Sequence, residues 1–445
     1  MFTKITLRNF RSFDRITLDL CEKNNVAKNL SIIYGENGSG KSNLVSAFVL
    51  LNELFQTMQV RDRYEEWLNR TAIFNDEDME KRIQEQLISS MRDMRAIIND
   101  YRMVDCTEPI AVQYEFSIGG NSGLYYVELG EQEIIRERLE YKLNQRRGVY
   151  FDCSRNGIII NNAIVKDKDL LSDIKSTAKR FWGKHSILAI ITHELDDKSE
   201  AYGQENISGN FHDVLYELEL VSCNIGIGTR VWECLYAPCR LLSHPVDGRV
   251  SIKQEKQIDI AEQIFSNFFS SINSSIKQVV YKKTYSEQYI EYHLHIVRLI
   301  AGTYRTIDFT KESKGNHQLL RLLCNLLTAC FNGVVIMDEA DSAIHDLLFK
   351  KIIQEIRQSI TGQIIMTTHN TMLMESDLGQ GSIYILSEEE NGQKGIRCIT
   401  EYEKRTYLGN NIRNKYLNNE YHGLPTVQKI DFSSLVTKLA EQLNG

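Results

Sequence analysis

The chain has 445 residues, 42% of them apolar and a net charge of -7. That length gives room for two domains, or for one domain with a large insertion, and the apolar share supplies a packed core and excludes a globally disordered chain. The acidic balance counts against sequence-independent DNA binding over the whole surface, and nine cysteines without a C-x-x-C spacing support neither a zinc nor a disulfide framework.

In chain order, residues 3–8 and 15–20 alternate apolar and polar, as half-buried strands do. Residues 30–34 form a short apolar run that ends at Gly35. From Ser42 the pattern is helical through about Phe55. Residues 56–105, charged and free of proline and glycine, predict helices that project from the core. Residues 110–118 and 124–129 predict strands separated by a glycine-rich turn. The segment 131–304 predicts an insertion of mostly helical character with some strands. Within it, 165–200 and 254–275 read as helices, and 276–283 and 289–297 as strands. Residues 319–337 are the most apolar stretch, but Arg321, Asn325 and Asn332 interrupt it. A buried helix and a buried strand are therefore expected there, not a membrane span. The opening MFTKITLRNF lacks an apolar leader, and with free thiols it predicts a cytoplasmic location without a membrane partner.

Three motifs carry chemistry. Gly35, Glu36, Asn37, Gly38, Ser39, Gly40, Lys41 and Ser42 fit G-x-x-x-x-G-K-[ST], between an apolar strand and a helix. Glycines let the backbone N–H groups curl toward phosphates, and the helix N-terminus adds positive potential. Lys41 is expected on the β- and γ-phosphates of ATP, Ser42 on Mg²⁺, and Asn43 completes the contact set. The second motif is the apolar strand 334–337 running into Asp338 and Glu339. Asp338 is expected to hold Mg²⁺ through water, and Glu339 to polarise the attacking water. The letters DEAD at 338–341 do not fit a helicase, whose main motifs lie closer together. The third is the strand 363–367, followed by His369 as a candidate γ-phosphate contact. The 30 residues between Glu339 and His369 fit a helix and a return to a neighbouring parallel strand, with both strand ends on the ligand-binding edge. Upstream, Ser313 and Gly315 open the helix 319–327, a turn able to present a hydroxyl, N–H groups and helix dipole to a phosphate.

The order GENGSGKS, ESKGNHQLL, VVIMDEADSAIH, TTHNTMLM resembles the ABC-type ATPases of the SMC, RecF and OLD-nuclease branch. It is similar to bacterial AAA-type ATPases of phage-defence operons, such as the RloA, AbiL and PARIS ATPase subunits. The resemblance covers about 1–55 and 305–425 and implies an α/β, ABC-type P-loop nucleotide-binding fold with a long helical and mixed insertion; 426–445 is expected as a tail helix. It further implies that Ser313 and Gly315 act on ATP held by another subunit, that Asp341 and Ser342 lie at the dimer interface, and that Arg11 and Phe13 sit near the base and ribose. Gln113 is the one early strand candidate for a Q-loop, with a plain core or solvent role as the alternative. The implied partners are a homodimer or higher homo-oligomer and a separate effector nuclease, since the 76 residues after His369 are expected to be too few for a nuclease domain plus the family ending. The alternative is a DNA-repair or DNA-end-binding clamp, for which Arg136, Arg138, Lys142, Arg146 and Arg147 are the local basic candidate. Interspersed with Glu137 and Glu140, they read more simply as a solvated helix face.

Overall fold

The computed structural model describes residues 1–22, 26–71, 92–196, 198–227, 230–375, 378, 380–389, 391–402, 412–424 and 431–443. Part of the expected helical insertion (72–91) and the start of the expected tail (426–430) lie outside the described residues.

In the first half the strands are β1 (Phe2–Phe10), β2 (Phe13–Asp19), β3 (Leu30–Tyr34), β4 (Ile110–Ile118), β5 (Asn121–Leu129), β6 (Ile134–Leu143), β7 (Arg146–Ser154) and β8 (Gly157–Ile160). All but β3 form one antiparallel sheet, in the order β2-β1-β4-β5-β6-β7-β8. Alternation is clearest in β4 and β5, where every second residue is buried. In β6, Glu137, Leu139 and Tyr141 face inward, and Arg136, Arg138, Glu140 and Lys142 outward. The basic segment is thus two paired strands, not the helix face expected. Alternation with a period of two buries one face, and the mixed charges mark the other.

The remaining strands are β9 (Val221–Ile227), β10 (Arg230–Cys234), β11 (Asp247–Ser251), β12 (Ile276–Tyr285), β13 (Tyr289–Ile300), β14 (Thr303–Asp308), β15 (Val334–Met337), β16 (Gln363–Thr367), β17 (Ile383–Glu388) and β18 (Lys394–Cys398). A second sheet has the order β10-β9-β15-β16-β3-β17-β18. Its five inner strands are parallel, and β10 and β18 are antiparallel edges. A third, four-stranded sheet gathers β11, β12 and β14 onto β13. The segment 131–304, expected as an insertion, therefore supplies β9 and β10 to the nucleotide sheet itself and β6–β8 to the antiparallel one. It also holds the helices Lys168–Phe181, Ile187–Asp196 and Glu255–Ile272.

The second sheet separates two apolar cores. Ile33, Val334, Ile336, Ile365, Tyr384 and Leu386 enter the core shared with the antiparallel sheet and the helix Lys41–Thr71. Ile32, Tyr34, Val335, Met337, Ile364, Met366, Ile383 and Ile385 enter the other, beneath the helices Glu255–Ile272 and Lys314–Cys330. Strands covered on both faces are mostly apolar, which is why β15 and the middles of β3 and β16 read as hydrophobic runs, with Ser31, Gln363 and Thr367 as buried polar exceptions. This is an α/β P-loop architecture and agrees with the ABC-type arrangement expected. The helix Phe432–Leu443 carries an exposed apolar stripe of Phe432, Leu435, Val436, Leu439 and Leu443. Among the described residues no helix is long and apolar enough to cross a membrane.

Candidate nucleotide site

Three neighbouring parallel strands, β15, β16 and β3, deliver the three motifs to one edge of the sheet. After β3 the chain turns through Gly38 (φ 84°) and Gly40 (φ 107°) into the helix that starts at Lys41. These are left-handed backbone states that favour glycine. Gly40 is also closed in by neighbours, since a Cβ there would lie 2.9 Å from both the Phe13 ring and Ser12 Oγ. The helix has no acidic residue in its first turn, so its positive end stays uncompensated for an anion. Lys41 Nζ folds back onto its own loop and donates to the carbonyls of Gly35 and Glu36, each at 3.0 Å. Burial lowers the Lys41 ammonium, while Asp338, Glu339, Glu36 and Asp341 act to raise it. Ser39 Oγ is buried and has no hydrogen-bond partner among the described residues. A curled loop, a helix N-terminus, a buried ammonium and an unpartnered hydroxyl fit a polyphosphate.

At the end of β15, Asp338 N donates to Asn224 O on β9 (2.8 Å). Thr367, the last residue of β16, ties the acidic pair together. Its hydroxyl donates to Asp338 Oδ1 (2.5 Å) and accepts from Glu339 N (2.8 Å), and its carbonyl accepts from Ala340 N (3.0 Å). Glu339 itself sits at φ 47°. Tyr34 Oη donates to Asn370 O (2.9 Å), fastening the ends of β3 and β16. His369 opens to solvent at this edge with part of its ring packed against the site. Its imidazolium is disfavoured by burial and by Lys41, partly offset by Asp341, Glu339 and Asp338. The neutral ring, which can donate one hydrogen bond, is therefore favoured at neutral pH.

Arg11, Ser12 and Phe13 form the β1–β2 turn and lie on the phosphate loop and its helix. Asn43 Nδ2 donates to Ser12 Oγ (2.9 Å), Arg11 Nη1 reaches Asn43 Oδ1 (3.5 Å), and the Arg11 guanidinium stacks 4.8 Å over Tyr101. Arg11 adopts φ 53°, which turns the chain sharply. Lys394 of β18 reaches the same place from the far edge. It donates to Gly38 O (3.2 Å) and lies 5.9 Å from the Phe13 ring centre. Sequence reasoning missed Thr367, Ser12, Asn224 and Lys394. Each is an ordinary polar residue in a strand or turn, and only the strand order gives it a role. Thr367 alone carried a signal, as the polar residue ending an apolar strand.

Ser313 caps the helix Lys314–Cys330, its hydroxyl accepting from Asn316 N (3.3 Å). Gly315 packs beside the turn that follows Glu339, where a Cβ would lie 3.1 Å from Ala343 O. Ser313 is exposed, and among the described residues its hydrogen bonds stay within its own turn. Asp341 faces the chain's own site closely enough to influence Lys41, His369 and Tyr34. Gln113 stands in β4 of the antiparallel sheet, its amide donating to Glu115 (2.9 Å).

Phosphate loop, carboxylate strand end and parallel strand order define a P-loop nucleotide-site protein. Its family signals agree: residues 4–219 match the model described as "AAA domain", and residues 241–375 the one described as "AAA domain, putative AbiEii toxin, Type IV TA system". No curated protein matches the chain. Among solved structures it is similar to an SmcHead bound to the C-winged helix domain of ScpA, at 14% identity and TM-score 0.43, over 91% of this chain and 99% of that one. It is similar to the SMC head domain from Thermotoga maritima, at 14% identity and TM-score 0.37, over 89% and 98%. A further likeness is to the Smc head domain with a coiled coil and joint from Pyrococcus yayanosii, at 12% identity and TM-score 0.43, over 94% and 99%.

Proposed function

We propose that the chain binds Mg²⁺–ATP and hydrolyses it to ADP and phosphate. The observation that carries this reading is the Thr367 hydroxyl bridging Asp338 and the Glu339 backbone beside the Lys41 loop. Lys41 would leave its own carbonyls for the β- and γ-phosphates. Ser42 and Asp338 would hold Mg²⁺, the latter through water, with phosphate oxygens completing the shell; Mg²⁺ commonly takes only one or two protein ligands. Glu339 would take or orient the proton of the attacking water, and His369 would donate to the γ-phosphate. Arg11 would flank the base and ribose, and Phe13, buried against Gly40, would brace the phosphate loop from beneath. Hydrolysis is tested with Glu339→Gln. This variant should keep ATP binding and lose turnover by about 10²–10⁴-fold, the usual contribution of a positioned base. Normal turnover would place the base elsewhere.

The exposed Ser313 turn supports a second tier: two copies share their sites, with Ser313 and Gly315 of one acting on ATP held by the other and Asp341 at the interface. The biological reading is the ATP-driven sensor of a cytoplasmic anti-phage system that controls a separate effector nuclease. It draws support from the toxin–antitoxin wording of the model matched over 241–375. The DNA-clamp alternative is weakened locally, since three of its basic residues are paired with the carboxylates of Glu140 and Asp152. Arg138 pairs with Glu140 (2.7 Å) and with Asp152, Arg136 with Asp152 (3.6 Å), and Arg147 with Glu140 (2.9 Å). Phage challenge of cells carrying the chain with its neighbouring genes tests the role. Protection should vanish in Lys41→Ala, and unchanged protection in that variant refutes an ATP-driven sensor.

A further inference from the structure

Cys223 on β9 and Cys234 on β10 are direct partners across an antiparallel pair. Residues so placed share one face, with Cα atoms about 4.5–5.5 Å apart. A disulfide accepts Cα separations of about 4.4–6.8 Å. The two thiols lie close enough to shift each other's pKa in opposite directions, adding to the rise that burial gives Cys223 and lowering Cys234. Cys223 is fully buried, whereas Cys234 is half-buried, and both line a cavity of about 560 Å³. The pair also contacts two elements that lead to the nucleotide site, the phosphate-loop helix and the strand β9. Cys234 Sγ donates to Asn52 Oδ1 (3.4 Å) on the phosphate-loop helix, and Asn52 Nδ2 donates to Val221 O on β9 (3.1 Å). Asn224, next to Cys223, supplies the carbonyl that holds Asp338 N.

We infer that Cys234 and Cys223 are a reversible dithiol–disulfide pair, oxidised by a peroxide, that adjusts the nucleotide site through Asn52 and Asn224. Cys234 is the attacking sulfur. The neighbouring Cys223 lowers its thiol, whereas burial raises Cys223 well above the usual range. The Trp232 indole N–H, on the same face of β10, is buried without a fixed acceptor among the described residues and favours the Cys234 thiolate as well. The thiolate is the form that reacts.

The Cys234 thiolate attacks one peroxide oxygen and the O–O bond breaks. The second oxygen leaves as hydroxide and takes the proton Cys234 released, forming water and a sulfenic acid. Cys223 Sγ then attacks Cys234 Sγ. The S–S bond forms, the S–O bond breaks, and hydroxide leaves with the Cys223 proton as a second water. Two thiols lose two electrons and one peroxide gains them. Oxidation also removes the S–H that Asn52 Oδ1 accepts, and a buried acceptor left unpaired has to shift. Because β10 is an edge strand, it can move to close the bond without breaking the parallel sheet.

The experiment treats the pre-reduced full chain with equimolar hydrogen peroxide, alkylates it in denaturant and maps its peptides without reduction. A linked Cys223–Cys234 peptide that dithiothreitol separates is the expected result. In Cys223→Ser, dimedone should label Cys234; in Cys234→Ser, it should leave Cys223 unlabelled. Full alkylation of both residues under peroxide that oxidises the half-exposed Cys106 overturns the pair, as does linkage of either to another cysteine. The wild-type map stands even if a variant fails to fold. The coupling to the site rests on the ATPase reading and is read separately, as a several-fold drop in ATP turnover that dithiothreitol restores. A disulfide without that drop overturns the coupling alone, and a reduced protein without turnover overturns the ATPase reading while leaving the pair intact.

Discussion

Glu339 stands at φ 47°, a left-handed state that costs a non-glycine residue on the order of 1 kcal/mol or more. The Thr367 hydroxyl, by holding Glu339 N and Asp338 Oδ1 together, sustains that turn. Thr367→Val keeps the shape and removes both bonds. Hydrogen bonds to charged groups are worth roughly 1.5–3 kcal/mol, so turnover should fall about 10- to 100-fold with ATP affinity nearly unchanged. Single-turnover hydrolysis beside nucleotide titration checks this, and equal loss of binding would show that Thr367 supports the loop instead. Gly40 makes a sharper case, because a methyl group there meets the Phe13 ring and Ser12 Oγ at 2.9 Å in a backbone state alanine avoids. Gly40→Ala should therefore lose ATP binding by an order of magnitude or more while the fold survives, as circular dichroism would show. Both expectations concern residues whose importance depends on what folds beside them. The glycines of the loop announce themselves in one sequence, whereas Thr367 and Ser12 do not.

At the scale of elements, the buried acid Glu137 joins the antiparallel sheet to the helix Ile187–Asp196. It accepts from Tyr125 Oη (3.0 Å), Trp182 Nε1 (3.1 Å) and Ile187 N (2.8 Å), the last capping that helix. Burial pushes its carboxyl up to about 7 from an ordinary 4.5, against the pull of these donors. The folded chain thus holds its proton more tightly than the unfolded one. Below pH 4.5 both states are protonated and Glu137 contributes no pH dependence. Between 4.5 and 7 the unfolded state releases its proton first, so stability falls as pH rises, by about 3 kcal/mol in all, and is level above 7. Glu137→Gln should flatten this part of the profile, measured by urea unfolding at pH 5 and pH 8. An unchanged slope would assign the pH dependence to other groups. The sequence pointed elsewhere because alternating Arg and Glu resemble a solvated helix, and only pairing with β5 and β7 reveals which of the charges faces inward. Apolar runs such as β3, β15 and β16 were legible because burial on both faces leaves few polar positions to confuse the pattern, Ser31 within β3 and Gln363 and Thr367 at the ends of β16. β9, with Ser222, Cys223 and Asn224 in its middle, lacked that signature although it lies beside β15.

For the whole molecule, the open question is whether one chain completes a site. The Ser313 turn is exposed and makes its hydrogen bonds locally, so it is free to face a second copy across the nucleotide. Gly315 is a poor place to test this, since any side chain there presses on Ala343 O within its own chain. Ser313→Glu is cleaner. It forfeits an N-cap worth about 1 kcal/mol and puts negative charge where a partner's phosphate would lie. ATP binding should persist, because the Lys41 loop is untouched, and turnover should collapse. In the wild type, specific activity should rise with protein concentration until assembly saturates. Mixing Ser313→Glu with Lys41→Ala then separates the arrangements. If Ser313 acts across the interface, each mixed dimer holds one site with both lesions and one with neither, so part of the activity returns. If Ser313 serves its own chain, every site keeps one lesion and nothing returns. Subunit exchange is verified first with differently labelled chains. Strict coupling of the two sites is recognised by mixing wild type with excess Lys41→Ala, where turnover above that of the remaining wild-type homodimers shows that one intact site per mixed dimer fires alone. Such surplus activity in that control with none in the double-variant mixture would rule out the shared site.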